Sequence, residues 1–231
     1  MTIVIFILVF TIAISLYFSC YKVNIIEFSS NKPGKNILLV AGTHGNEPAG
    51  VYALNRLINY LKNDPSLVKS GKITIINNMN KCGYYIDTRN YSNVGKKLDL
   101  NRLYGKNFVV NKQVENIIDR QDIILDFHEG WGYIKKDKSI GSSITFSNDI
   151  SDNTKKDILD TINSDITTDY KKFIESKKDI IPYSLRDYAK IKNKTYILLE
   201  TTGQNNVQPL NLRVNQSLLY TLFFLRHYKV M

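Results

Sequence analysis

The residues whose types and spacing suit chemistry begin at His44-Gly45-Asn46-Glu47, a histidine and a glutamate three apart in the turn after the apolar run Asn36-Ile37-Leu38-Leu39-Val40-Ala41. Imidazole nitrogen and carboxylate oxygen both ligate zinc, and a catalytic zinc site takes three protein ligands while leaving one position open. Gly42 and Gly45 relax the backbone of the turn, and Pro48 suits the first turn of a following helix, where its missing N–H is harmless. A second apolar run, Ile123 to Phe127, ends in His128, which supplies a third ligand. Of the three histidines in the chain, His227 falls in a helical stretch near the carboxy terminus, while the other two close strand-like runs. One such histidine alone reads as structural; two of them with a glutamate at turn spacing read as a metal site. A third run, Tyr196 to Leu199, ends in Glu200. A carboxylate buried there is costly without a partner. Beside metal-activated water it has a use, taking a proton as water attacks a carbonyl and returning it to the leaving amine. The polar loop from Thr88 to Arg102 adds two arginines, Arg89 and Arg102, whose forked and permanently charged guanidinium matches a carboxylate.

Strands are expected at Ile37–Ala41, Ile73–Asn77, Ile123–Phe127, Ser143–Phe146 and Tyr196–Glu200, each rich in Ile, Val, Leu or Phe. Helical periods are expected over Pro48–Lys62, Asn111–Arg120, Ser151–Ile162, Ser184–Ile191 and Leu210–His227. That order predicts an α/β domain with a mixed, largely parallel sheet sandwiched by helices. In such sheets sites form beyond the carboxyl ends of the strands, where His44, His128 and Glu200 all fall.

Ahead of this domain, Ile3 to Phe18 is almost wholly apolar and, with its flanks, has about the length that crosses a bilayer. No Lys or Arg precedes it, and it ends in Tyr17-Phe18 rather than a small-x-small cleavage pattern, so an uncleaved anchor is expected over a signal peptide. The expectation is therefore a single-pass transmembrane anchor over 1–20, a linker over 21–35 and a catalytic domain over 36–231. Lys22, Lys32 and Lys35 all follow the span, and the positive-inside tendency would hold the catalytic domain on the cytoplasmic side, although so few lysines leave its side open. Lys and Arg exceed Asp and Glu by 31 to 21, a balance that attracts acidic ligands or an anionic surface. The lysines lack the interleaved aromatics and arginines of a nucleic-acid interface, so nucleic acid is not an expected partner. With only Cys20 and Cys82, no disulfide framework follows and the redox compartment stays open.

Taken in order, the pieces resemble the zinc carboxypeptidase family and its relatives, the succinylglutamate desuccinylases and aspartoacylases. The resemblance rests on the His-x-x-Glu turn at His44 and Glu47, the Thr-Arg-x-Asn…Gly…Asp-Leu-Asn-Arg loop from Thr88 to Arg102, His128 and Glu200. It implies one zinc per chain held by His44, Glu47 and His128, with Glu200 as general base and acid. It also implies that Arg89 stabilises the oxyanion, that Asn101 and Arg102 hold the substrate's terminal carboxylate, and that Asp99 orients the first zinc histidine. Tyr183-Ser184-Leu185-Arg186-Asp187-Tyr188 is similar to the family segment that places a residue at the base of the side-chain pocket. That puts Arg186 in the pocket, favouring an acidic side chain, and makes Tyr183 the tyrosine that closes over substrate, although its spacing to Glu200 is shorter than the family's. Glu129-Gly130-Trp131-Gly132-Tyr133 after His128 looks more like the desuccinylases or compact murein-peptide amidases than the digestive enzymes.

The leading expectation is a zinc-dependent carboxypeptidase or amidase cleaving an amide next to a carboxylate-bearing terminal residue. The alternative is an N-acyl amino-acid deacylase, so the expected partner is a peptide or N-acyl amino acid with a free carboxylate. A non-catalytic zinc-dependent binding protein is the reading from a different class; the filled catalytic positions weigh against it.

Overall fold

The computed structural model describes residues 20–93 and 96–231. The expected anchor over 1–20 lies outside them, except for residue 20. Among the described residues no helix is long and apolar enough to cross a membrane. The single-pass membrane assignment and the transmembrane part of the fold expectation are therefore corrected: what the structure presents is an α/β domain with no spanning helix among its described residues.

The centre of the molecule is built from strands that are buried at nearly every position and carry apolar runs, β2 (Asn36–Val40), β3 (Lys72–Ile76), β6 (Ile123–Gly130) and β9 (Thr195–Thr202). Continuous apolar runs suit strands covered on both faces, and all eight residues of β6 are buried. These four pair in parallel in the order β3-β2-β6-β9. β1 (Ile26–Ser29) adds antiparallel to β3, within the stretch expected as linker, and its half-exposed alternation marks it as an edge. β7 (Ser143–Phe146) runs antiparallel to β9, and β8 (Ile174–Glu175) extends it in parallel. The sheet is thus seven-stranded and mixed, with a parallel centre.

Helices α1 (Pro48–Asn63), α4 (Asp152–Asn163) and α6 (Leu210–His227) cover one face, and α3 (Val109–Ile118) and α5 (Leu185–Ile191) the other. Alternate residues of β2 divide accordingly, Ile37 and Leu39 joining the first core and Leu38 and Val40 the second. The polar loop from Thr88 to Arg102 is not wholly irregular: it contains a small hairpin, β4 (Tyr91–Asn93) with β5 (Lys96–Leu98). Between β3 and this hairpin lies a short helix, α2 (Lys81–Tyr85), whose Cys82 is joined to Cys20 in a disulfide, Cα atoms 5.5 Å apart.

Candidate active site

β2, β6 and β9 end side by side, and their parallel register decides what meets there. Asp126 pairs with Val40, and His128 stands opposite Glu200. Beyond Val40 the chain turns through Gly42, whose φ of +69° is a left-handed conformation that side chains rarely adopt. The turn brings His44 and Glu47 over the end of β6. His44 Nδ1 lies 2.8 Å from Glu47 Oε1, and His128 Nδ1 lies 2.9 Å from Glu47 Oε2 and 3.0 Å from His44 Nδ1. The three candidate ligands are buried, with donor atoms within 4.8 Å of one another.

The donor set fits a cation. Two imidazole δ nitrogens aimed at one point beside a carboxylate cannot both carry protons there, and each ε nitrogen has its own acid behind it. His44 Nε2 is 3.1 Å from Asp99 Oδ1, and His128 Nε2 is 3.4 Å from Asp126 Oδ2. Protons on the ε nitrogens leave both δ lone pairs converging with Glu47, the tautomer that acids behind metal-ligating histidines enforce. Asp126 is itself wholly buried and held by the Tyr196 hydroxyl at 2.6 Å and the Phe127 N–H at 3.0 Å.

Charge is dense here, and it moves several groups from their ordinary pKa. Burial alone would raise the Glu47 carboxyl, but His44 and His128 more than offset it and hold it well below the usual range. Burial likewise opposes ionisation of Asp99, which the His44 hydrogen bond and Arg89 overcome, keeping it low. Burial disfavours charge on His128, yet Asp126 and Glu47 raise it well above its ordinary value. Glu200 goes the other way: burial pushes its carboxyl up to about 8, with His128 and Arg89 pulling down and Glu47 and Asp126 pushing further up.

His44, Glu47, His128 and Glu200 line a cavity of about 600 Å³. Arg89 reaches it from the hairpin loop, its Nη1 donating to Glu47 at 3.2 Å and its Nη2 to Asp99 at 3.2 Å. Asn101, Arg102 and Arg186 also line the cavity, with Lys177 and Lys178 beside Arg186. The Asn101 Oδ1 accepts the Leu185 N–H at 2.9 Å, so this side chain also pins the start of α5. Arg186 Nη1 donates to the Lys178 carbonyl at 2.7 Å. Tyr183 is not brought in. Its side chain is 49% exposed, outside the cavity lining, with the Lys106 ammonium 3.8 Å from its ring centroid.

Sequence reasoning missed Asp126, Tyr196, Gln204, Glu129 and Arg213. Asp126 had a signal, because residues two apart on a strand share a face and it precedes His128 by two. Gln204 donates to Glu47 Oε1 at 2.9 Å and to the Glu129 carbonyl at 2.6 Å. Its place four residues past Glu200 carries no pattern that would have flagged it.

Comparison with known proteins bears on the domain and its fold. Residues 33–135 match the family model of the succinylglutamate desuccinylase/aspartoacylase catalytic domain. Comparison with curated proteins gives no match. Among solved structures, tripeptide-bound cell shape determinant Csd4 from Helicobacter pylori is similar with a TM-score of 0.73 at 18% identity, over 91% of this chain and 56% of that one. The mDAP-bound form of the same protein, described as a D,L-carboxypeptidase, gives 0.68 at 18%, over 89% and 55%. A succinylglutamate desuccinylase from Silicibacter sp. TM1040 gives 0.66 at 14%, over 90% and 61%. The chain thus spans little more than half the length of these structures, and at such identities they establish the fold. Residues 33–135 thus match the desuccinylase/aspartoacylase domain model, and the fold is that shared by Csd4 and the desuccinylase.

Proposed function

We propose that the protein is a zinc-dependent hydrolase that cleaves an amide next to a carboxylate-bearing terminal residue, with an acidic side chain preferred. The observation that carries this reading is the convergence of His44 Nδ1, His128 Nδ1 and the Glu47 carboxylate beneath a cavity walled by Glu200 and three arginines. His44, Glu47 and His128 would hold one zinc, with Asp99 orienting His44. Bound there, zinc supplies Lewis-acid activation of water and of the scissile carbonyl.

Every other part of the reaction falls to this chain. Glu200 takes a proton from the attacking water and delivers it to the departing amine as the C–N bond breaks and the new C–O bond forms. Arg89, fixed by Glu47 and Asp99, supplies positive charge to the developing oxyanion. Asn101 and Arg102 receive the substrate's terminal carboxylate, and Arg186, flanked by Lys177 and Lys178, faces an acidic side chain. Tyr183 remains a candidate to fold over bound substrate from its exposed position.

An N-acyl amino-acid deacylase is the second reading, favoured by the match of residues 33–135 to the desuccinylase/aspartoacylase domain. Both readings use the same machinery. Metal analysis with a screen of N-acyl-glutamate against peptides ending in Glu, Phe and Lys separates them. Hydrolysis of acidic-terminated peptides supports the first reading, hydrolysis of N-acyl-glutamate alone supports the second, and a preference for Phe or Lys removes the role given to Arg186.

A further inference from the structure

Glu47 occupies the N-cap of α1, the position whose side chain ordinarily accepts an N–H from the first helical turn, yet its carboxylate makes no such bond. Its oxygens face His44 and His128 instead. Pro48, at the first helical position, has no N–H to satisfy. The next N–H, that of Ala49, is taken at 2.7 Å by Oε1 of Glu129 from the end of β6. Another element's carboxylate therefore caps the helix in place of Glu47.

The direction of Glu129 follows from strand alternation. Phe127, two residues earlier, packs in the core under α1 and against Tyr220 of α6. Glu129 continues that face, opposite the one that carries His128. Its Oε2 pairs with Arg213 Nη1 from the start of α6, and both side chains are almost fully buried. Arg213 is fixed in turn, Nε donating to the Gln208 carbonyl at 3.1 Å and Nη2 to Asn206 Oδ1 at 3.3 Å. The pair lies against Gly203, three residues past Glu200, where a Cβ would overlap both Glu129 Oε2 and Arg213 Nη1. The Glu129 backbone N–H also donates to Glu47 Oε2 at 3.1 Å.

A buried ion pair is often no more stabilising than apolar side chains of similar volume, so packing alone does not account for this one. We infer that Glu129 and Arg213 are positioning residues for the metal site: by capping α1 they free both oxygens of Glu47 and hold them against His44 and His128. The inference rests on the metal-site reading above.

The test is zinc affinity by chelator competition, together with thermal melting of the metal-free protein, for wild type, Arg213→Met and Arg213→Lys. Arg213→Met is expected to weaken zinc binding roughly tenfold to a hundredfold, the range for partners that orient metal ligands. Arg213→Lys, which keeps the charge, is expected to recover most of it. If Arg213→Met does not fold, Glu129→Ala/Arg213→Met removes the cap without leaving a buried charge and should show the same loss. Variants that melt lower but bind zinc as tightly as wild type when folded would overturn the inference. A wild-type protein that binds no zinc overturns the metal reading itself, while Arg213-dependent zinc binding without amide hydrolysis supports the positioning role and defeats only the proposed reaction.

Discussion

Replacing Glu200 with Gln should cut turnover steeply and stabilise the metal-free protein, and the two effects have one cause. Glu200 is buried, and burial lifts its carboxyl from 4.5 to about 8 in the folded state. A group whose folded pKa is raised contributes stability that is fully present below its unfolded value and is lost as pH climbs through the folded one. At about 1.4 kcal/mol per tenfold change in proton affinity, wild type should lose about 3 kcal/mol relative to Glu200→Gln between pH 4.5 and 7. The difference should level off near 5 kcal/mol above pH 8, on the same conversion. Urea unfolding of both metal-free proteins at pH 5, 7 and 8.5 measures it. The amide of Gln cannot carry a proton, so kcat should fall by about 10²–10⁴ with zinc content unchanged. Parallel stability curves across that range would show that Glu200 is not buried in this way; unchanged turnover would remove it from the mechanism.

Three further outcomes follow. Arg186→Ala should raise KM for an acidic-terminated peptide by about tenfold to a hundredfold, the worth of a hydrogen bond to a charged group, and leave neutral-terminated peptides unchanged; equal losses on both would show that Arg186 does not read the side chain. Asp126→Asn removes the acid behind His128, and zinc affinity by chelator competition should drop about tenfold or more, an effect absent if the 3.4 Å approach is incidental. Cys82→Ser opens the link between Cys20 and α2 and should cost roughly 2–4 kcal/mol of stability; a melting temperature insensitive to both the substitution and reductant would rule that link out.

The legible parts of the molecule were those where one strand states its own purpose. β2, β6 and β9 each contain an apolar run followed within a few residues by a group with metal or proton chemistry, so both the parallel centre and His44, Glu47, His128 and Glu200 could be read locally. The edges were harder. β1 and β8 are short and half-exposed, and partial burial leaves little apolar periodicity to detect. Tyr183 rested on the likeness of one segment, with a spacing to Glu200 that did not match; its backbone is left-handed, φ +62°, and its exposed ring lies against the Lys106 ammonium. Arg213 had no local signal at all. It sits in Leu-Asn-Leu-Arg-Val-Asn-Gln of α6 like a solvated helix residue, and only the fold brings it to Glu129, 84 positions away.

The balance of charge around the site argues for a divalent ion and ties its binding to the readiness of the base. Around the two histidines three carboxylates, Glu47, Asp99 and Asp126, outnumber the one guanidinium in direct contact with them, that of Arg89, while Glu129 pairs with Arg213. Such an excess is costly in a buried region, and a dication cancels it. The same negative field, from Glu47 and Asp126, helps to keep Glu200 protonated up to about 8. Metal loading should therefore lower the Glu200 pKa and convert it to the carboxylate that accepts a proton. The acid limb of kcat/KM for the zinc-loaded protein is then expected below about 8 and above the ordinary 4.5. Zinc should also remove most of the pH-dependent difference in stability between wild type and Glu200→Gln. An acid limb that stays at about 8 in the loaded enzyme would mean that metal and base do not share this field.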